Sequence, residues 1–109
     1  MHRRASRTWP GLRERIYSRA IAIELKAAGI EFEREKKYPV MYRGELLCDQ
    51  KLDFVIANAI VLEVKSVEYL AAIHHSQIVN YMRISRLRAG LLMNFNVIVL
   101  PDGISRKVL

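Results

Sequence analysis

A chain of 109 residues has room for one hydrophobic core and little for a second unit. A hydrophobic share of 51% argues for a folded protein, and a single cysteine excludes an intrachain disulfide. The formal net charge of +7 favours a polyanionic partner such as nucleic acid, and no apolar run approaches the roughly 20 residues that span a bilayer, so no membrane partner is expected.

Residues 1–10, MHRRASRTWP, are basic and show no period. They read as an arm that can touch phosphates through Arg3, Arg4 and Arg7. Trp9 is expected to pack on the domain rather than stack on bases. The arginines are not followed by an apolar segment, so this is not a secretory signal. Cys48, expected to be a buried and inert thiol, fits a reducing, cytoplasmic setting.

Residues 11–109 form the single expected domain. From Leu12 to Ala28 the pattern is helical, and Gly29 supplies the stop. Ile16, Ala20, Ile23 and Ala27 make one apolar stripe. Glu14, Tyr17, Ile21, Glu24 and Ala28 make a neighbouring one. Glu14 and Tyr17 thus point the same way from the first turn. Taken alone, Glu14 is explained as a surface acid near the positive end of a helix. Arg13, Arg15 and Arg19 lie off that stripe and look solvated.

Ile30 to Tyr42 alternates loosely and ends at the Arg43-Gly44 turn. Phe32, Tyr38, Val40 and Tyr42 are its inward candidates, and Pro39 places it at an edge or beside a bulge. Glu45 to Ile56 and Ile60 to Val67 complete an antiparallel meander. A tight turn at Ala57-Asn58-Ala59 joins the last two strands. Counting outward from Asn58 pairs Val55 with Val61 and Asp53 with Glu63, whose Cβ atoms would be roughly 5 Å apart. Lys65 shares that face. An even-length turn would split the two carboxylates across the sheet.

The third strand is otherwise apolar on both faces, as in a covered central strand. Opposed carboxylates repel there, and a divalent cation would remove the conflict. A Lys65 bridge to both acids at a solvated sheet edge explains the same residues without any chemistry.

A second helix runs from Tyr69 to Arg88, with Gly90 as its stop. Ile73, Ile78, Met82 and Leu87 are its candidate core contacts. Gln77 and Tyr81, four apart, stack side by side on another face, where a polar rim is the ordinary explanation. His74 and His75 have no partner at zinc spacing. LLMNF then forms a strand parallel to the third through a right-handed crossover. NVIVL and ISRKVL suggest a final strand and turn, or a partner-facing tail.

The order is helix, three strands, helix, strand, an α/β architecture with a mixed sheet flanked by two helices. The segment Gly11-Leu12-Arg13-Glu14-Arg15-Ile16-Tyr17 resembles the signature of the GxxExxY proteins, members of the PD-(D/E)XK nuclease-like superfamily. AIELKAAGI, LDFVI, LEVKSVEYL and IHHSQIVNYMRISRLRAGLLMNF continue the resemblance in order. It covers nearly everything after the arm. It implies the αβββαβ core of restriction-endonuclease-like proteins, with a three-strand antiparallel meander plus a parallel strand. It implies that Asp53, Glu63 and Lys65 are the D…ExK core, Glu14 the helix-borne acid, and Gln77 and Tyr81 a QxxxY element. Leu52 stands where the superfamily's name has proline.

The activity so implied is hydrolysis of phosphodiester bonds in DNA or RNA with Mg²⁺ or Mn²⁺. Asp53, Glu63 and the Val64 carbonyl would hold the ion, with Glu14 bound directly or through a water. Lys65 would orient the attacking water or neutralise developing charge. Gln77 and Tyr81 would steady the site. Arg83, Arg86 and Arg88 would join the arm in contacting phosphates. A homodimer is expected, because one small domain offers little surface to grip a duplex. Two other classes stay open: a nucleic-acid-binding module with a vestigial site, and a protein-interaction scaffold on the same fold.

Overall fold

The computed structural model describes residues 12–96 and 103–109. They form α1 (Leu12–Ala27), β1 (Phe32–Tyr42), β2 (Glu45–Ile56), β3 (Ile60–Lys65), α2 (Ala72–Ser85), β4 (Ala89–Asn94) and β5 (Ile104–Val108). The basic arm with Arg3, Arg4, Arg7 and Trp9 lies outside the described residues, as does the NVIVL stretch apart from Asn96.

One sheet carries the strands in the order β1-β2-β3-β4-β5. β1–β2 and β2–β3 are antiparallel, β3–β4 parallel, and β4–β5 antiparallel. The expected meander and parallel strand are present, and β5 extends the sheet by one. α2 is the crossover that a parallel neighbour requires.

The helices cover opposite faces. Leu52, Val55, Val61 and Leu92 pack with Ile78, Tyr81 and Met82 of α2. Phe54, Leu62 and Val64 pack with Tyr17, Ile21, Ala22 and Leu25 of α1. β3 is therefore covered on both sides, which is why its sequence is apolar at consecutive positions.

Only one of the two stripes on α1 is used. Tyr17 stacks on Phe95 with ring centroids 4.3 Å apart, and Ile21 and Leu25 continue that line. The other stripe faces solvent: Ile16 and Ile23 are exposed. The helix meets the sheet along a single line of contact, and the bulkier row takes it. The helix ends as expected, with Gly29 at φ +71° and the Ile30 N–H donated to the Leu25 carbonyl at 3.0 Å.

α2 is shorter at both ends than its periodicity suggests. Arg86, at φ +63°, terminates it, and the Leu87 N–H returns to the Met82 carbonyl at 3.0 Å. Gly90 is not the stop but a residue of β4. A Cβ there would lie 2.8 Å from Met82 Sδ and 3.1 Å from Ile78 Cδ1, so the missing side chain lets α2 sit close on the sheet.

β1 is an edge strand with a register shift between Val40 and Met41, which accommodates Pro39. β2 pairs with β3 only over Phe54–Ile56. Beyond Tyr38 and Leu52, which still pack against the α2 cluster, the tip of the β1–β2 hairpin projects past the sheet with little to cover it. Tyr42 and Cys48 are consequently exposed, not inside, and Ile73 on α2 is exposed as well.

Candidate active site

The β2–β3 register is the one an odd loop requires: Ile56 pairs with Ile60, Val55 with Val61 and Phe54 with Leu62. Ala57 (φ +53°) and Asn58 (φ +51°) turn the chain through left-handed backbone. The backbone ladder stops at Phe54 and Leu62. One step further, side chains take over. Glu63 Oε2 accepts the Asp53 N–H at 2.9 Å, and Asp53 Oδ2 accepts the Val64 N–H at 2.8 Å.

The other side of β2 is interrupted at the same level. Arg34 pairs with Phe54 and Lys36 with Leu52, while Glu35 between them sits at φ +51°. Leu52 and Val55 both reach the α2 side, and Phe54 reaches the α1 side. Simple alternation cannot do this, so β2 is distorted around Asp53. Left-handed backbone at a non-glycine residue costs roughly 1–3 kcal/mol and tends to mark a functional place.

Here a cleft of about 360 Å³ opens at the end of β3. It brings together all six candidate side chains: Glu14, Asp53, Glu63, Lys65, Gln77 and Tyr81, with Val64 beside them. Both helices reach it, α1 with the first-turn acid Glu14 and α2 with Gln77 and Tyr81. Arg15, Ser18, Arg34, Glu35 and Lys51 also line it. Sequence periodicity marks none of these five as site residues.

A polar chain crosses the α2 side. Lys65 Nζ donates to Gln77 Oε1 at 2.7 Å. Gln77 Nε2 donates to the Tyr81 hydroxyl at 2.8 Å, and Gln50 Nε2 donates to the same oxygen at 3.0 Å. Gln50 belongs to no motif. Its one signal is position, two residues before Leu52 on the strand that α2 covers.

Glu63 is 4% exposed. Burial, and then the Asp53 charge, push its pKa up to about 8. Asp53 is also raised, chiefly by burial and further by Glu35, against the opposing Val64 N–H and Lys65 charge. Burial and the Glu63 charge raise Tyr81. Lys65 forms no ion pair with either acid among the described residues; its ammonium goes to Gln77. The lysine-bridge explanation of these three charges therefore lacks its central contact.

Burial and the neighbouring Asp53 charge favour a proton on Glu63. A divalent cation in place of that proton would satisfy both carboxylates, and hard oxygens suit magnesium or manganese. Among the described residues no three His, Cys, Asp or Glu side chains converge on one point. Glu14 lines the cleft without joining the pair.

The arginines divide. Arg83 is exposed and lines a groove on the far side of Gln77 and Tyr81. Arg86 is the helix cap. Arg88 Nη2 donates to the Leu109 carbonyl at 3.1 Å. It precedes Ala89, which pairs with Ile60 at the end of β3 away from Lys65. The cleft therefore does not include Arg86 or Arg88.

Residues 5–107 match the family model of the PD-(D/E)XK nuclease superfamily. The fold is also similar to that in the crystal structure of SSO0001, with a TM-score of 0.60 and 23% identity. That likeness covers 85% of this chain and 47% of the other, so this chain spans about half the length of its structural relative. No protein of curated function matches.

Proposed function

This chain belongs to the PD-(D/E)XK nuclease superfamily, and from that premise we propose that it is a Mg²⁺- or Mn²⁺-dependent nuclease acting on DNA or RNA. The observation that carries this reading is the Asp53–Glu63 pair. Two carboxylates are brought together in a covered place where both neighbouring ladders give way. Such an arrangement destabilises a fold unless something positive occupies it.

Asp53, Glu63 and the Val64 carbonyl would hold the ion, and Glu14 would reach it through a water. When bound, the ion supplies a water of lowered pKa and stabilises charge on the phosphate. Lys65 brings a proton-bearing Nζ to the attacking side. Gln77 fixes that ammonium through its Oε1. Gln77 Nε2 in turn holds the Tyr81 oxygen, so the three side chains act as one unit. In the reaction the water oxygen bonds to phosphorus, the bond to the leaving sugar oxygen breaks, and that oxygen takes up a proton.

The Gly11–Tyr17 segment supports the finer placement among the GxxExxY proteins. The net charge of +7 supports nucleic acid as substrate. Phosphate contacts would come from the arm and from Arg83, with Arg86 and Arg88 serving a more distant part of the substrate. A homodimer would supply the surface that one such sheet lacks. No helix among the described residues is long and apolar enough to cross a membrane, and a lone exposed thiol suits the cytoplasm.

The test is incubation of the parent and Glu63→Gln with labelled DNA and RNA, in Mg²⁺, Mn²⁺ or EDTA. Cleavage is expected only with metal and only from the parent. Cleavage that survives Glu63→Gln, or none by the parent with either ion, overturns the reading.

A further inference from the structure

We propose that the groove between α2 and the projecting β1–β2 hairpin binds an unpaired nucleic-acid strand leading up to the Lys65–Gln77–Tyr81 chain. This rests on the nucleic-acid reading above and adds a second site to it.

The groove encloses about 780 Å³ and shares Lys65, Gln77 and Tyr81 with the cleft. It therefore opens on the other side of the same polar chain. One wall is α2, with Ile73, Asn80, Arg83 and Ile84. The other is the hairpin, with Val40 and Gln50. The hairpin can be a wall because β2 pairs with β3 only over Phe54–Ile56 and runs on beyond it alongside α2.

The two cavities differ in charge. In the cleft the carboxylates of Glu14, Glu35, Asp53 and Glu63 are interleaved with the cations of Arg15, Arg34, Lys51 and Lys65. Among the described residues no carboxylate lines the groove, whose fixed charges are Lys65 and Arg83. An anionic chain is thus attracted to the groove without opposing charge. This complementarity decides between a polynucleotide and a neutral or basic peptide.

The remaining groove groups decide between single strand and duplex. Ile73 is 73% exposed, and with Val40 and Ile84 it offers aliphatic surface. Asn80 and Gln50 offer amides. In a duplex the base faces are stacked and the pairing edges occupied, so these groups gain nothing. An unpaired strand exposes both faces and edges.

Cys48 is the chain's one cysteine, is exposed, and lies on the hairpin wall, so it reports on occupancy. The measurement is the alkylation rate of Cys48 in the full chain, in EDTA at low salt. The probes are a short single-stranded oligodeoxynucleotide, the same sequence as RNA, and a blunt duplex. Single strand should slow alkylation several-fold and blunt duplex should not; the RNA arm shows which sugar is accepted. Arg83→Glu should restore the rate, whereas Arg19→Glu, the same charge change on exposed α1, should not. The proposal is overturned if single strand binds by anisotropy without slowing alkylation, if it does not bind, if duplex protects equally, or if Arg83→Glu stays protected. Metal-dependent cleavage without protection removes the groove and leaves the nuclease. Protection without cleavage does the reverse.

Discussion

Asp53 and Glu63 are joined through the backbone of each other's strand. Glu63 Oε2 takes the Asp53 N–H at 2.9 Å, and Asp53 Oδ2 takes the Val64 N–H one residue beyond Glu63 at 2.8 Å. Each carboxylate thus holds the partner strand where the ladder has ended. The pair is at once a clamp on the sheet and a concentration of negative charge.

Stability should therefore depend on pH in a stated direction. The folded pKa of Glu63, about 8, lies above its ordinary value of 4.5. Between these values the folded state binds more protons than the unfolded one. The Glu63 contribution is complete below pH 4.5 and is lost as pH rises through 8. Asp53 is shifted in the same direction. Melting in EDTA across this range should show the parent losing ground to Glu63→Gln as pH rises. Each kcal/mol lost corresponds to roughly 4–8 °C in a domain of this size. Parallel curves would remove Glu63 as the titrating group.

Added magnesium should reverse that loss. A ligand that binds only the native state stabilises by about 2.7 kcal/mol at a hundredfold excess over its Kd. The parent's Tm should rise with Mg²⁺ at pH 8. Glu63→Gln, as stable as the parent or slightly more so without metal, should not respond. If that variant melts several degrees lower in EDTA and the parent ignores Mg²⁺, the acids are architectural.

Gln50 should matter to turnover although no motif contains it. With Gln50 and Gln77 both donating to the Tyr81 oxygen, the phenolic hydrogen is left to donate elsewhere. Gln50→Leu should lower kcat roughly fivefold, the equivalent of one hydrogen bond of about 1 kcal/mol. Gln50→Glu should lower it further, because a carboxylate accepts and turns the phenolic proton towards itself. Steady-state kinetics, with melts to show an intact fold, would decide; equal activity in Gln50→Glu would refute the arrangement.

Gly90→Ala should destabilise by about 1–3 kcal/mol, the usual range for overpacking. The nearer obstruction is the flexible end of Met82 and the other is Ile78 Cδ1, so the lower part of that range is expected. Urea unfolding would measure it, and an unchanged midpoint would mean that α2 has room to move.

What could be read in advance was whatever depends on parity and period. The three-residue turn around Asn58 set which side chains of β2 and β3 share a level, and the consecutive apolar residues of β3 showed it to be covered. What depends on distant neighbours could not be read. Ile16 and Tyr17 lie in equally plausible stripes until the sheet selects one. Cys48 sits in an apolar strand, but that strand outruns its partner. Gly90 looked like a helix stop because the true terminus, Arg86, is a residue that rarely adopts left-handed backbone. Glu35 and Lys51 carry charges common on any surface strand, and only the distortion beside Asp53 turns them towards the cleft.

The cleft draws its walls from α1, β1, β2, β3 and α2, and α2 is the crossover that places β4 parallel to β3. Local hairpins close early in folding, whereas a parallel pairing across an intervening helix is slow. A chain leaving the ribosome therefore exposes Glu14, Asp53 and Glu63 before Gln77 and Tyr81 exist to complete their surroundings. The cleft is complete only once α2 has packed on the sheet and brought Gln77 and Tyr81 beside the carboxylates.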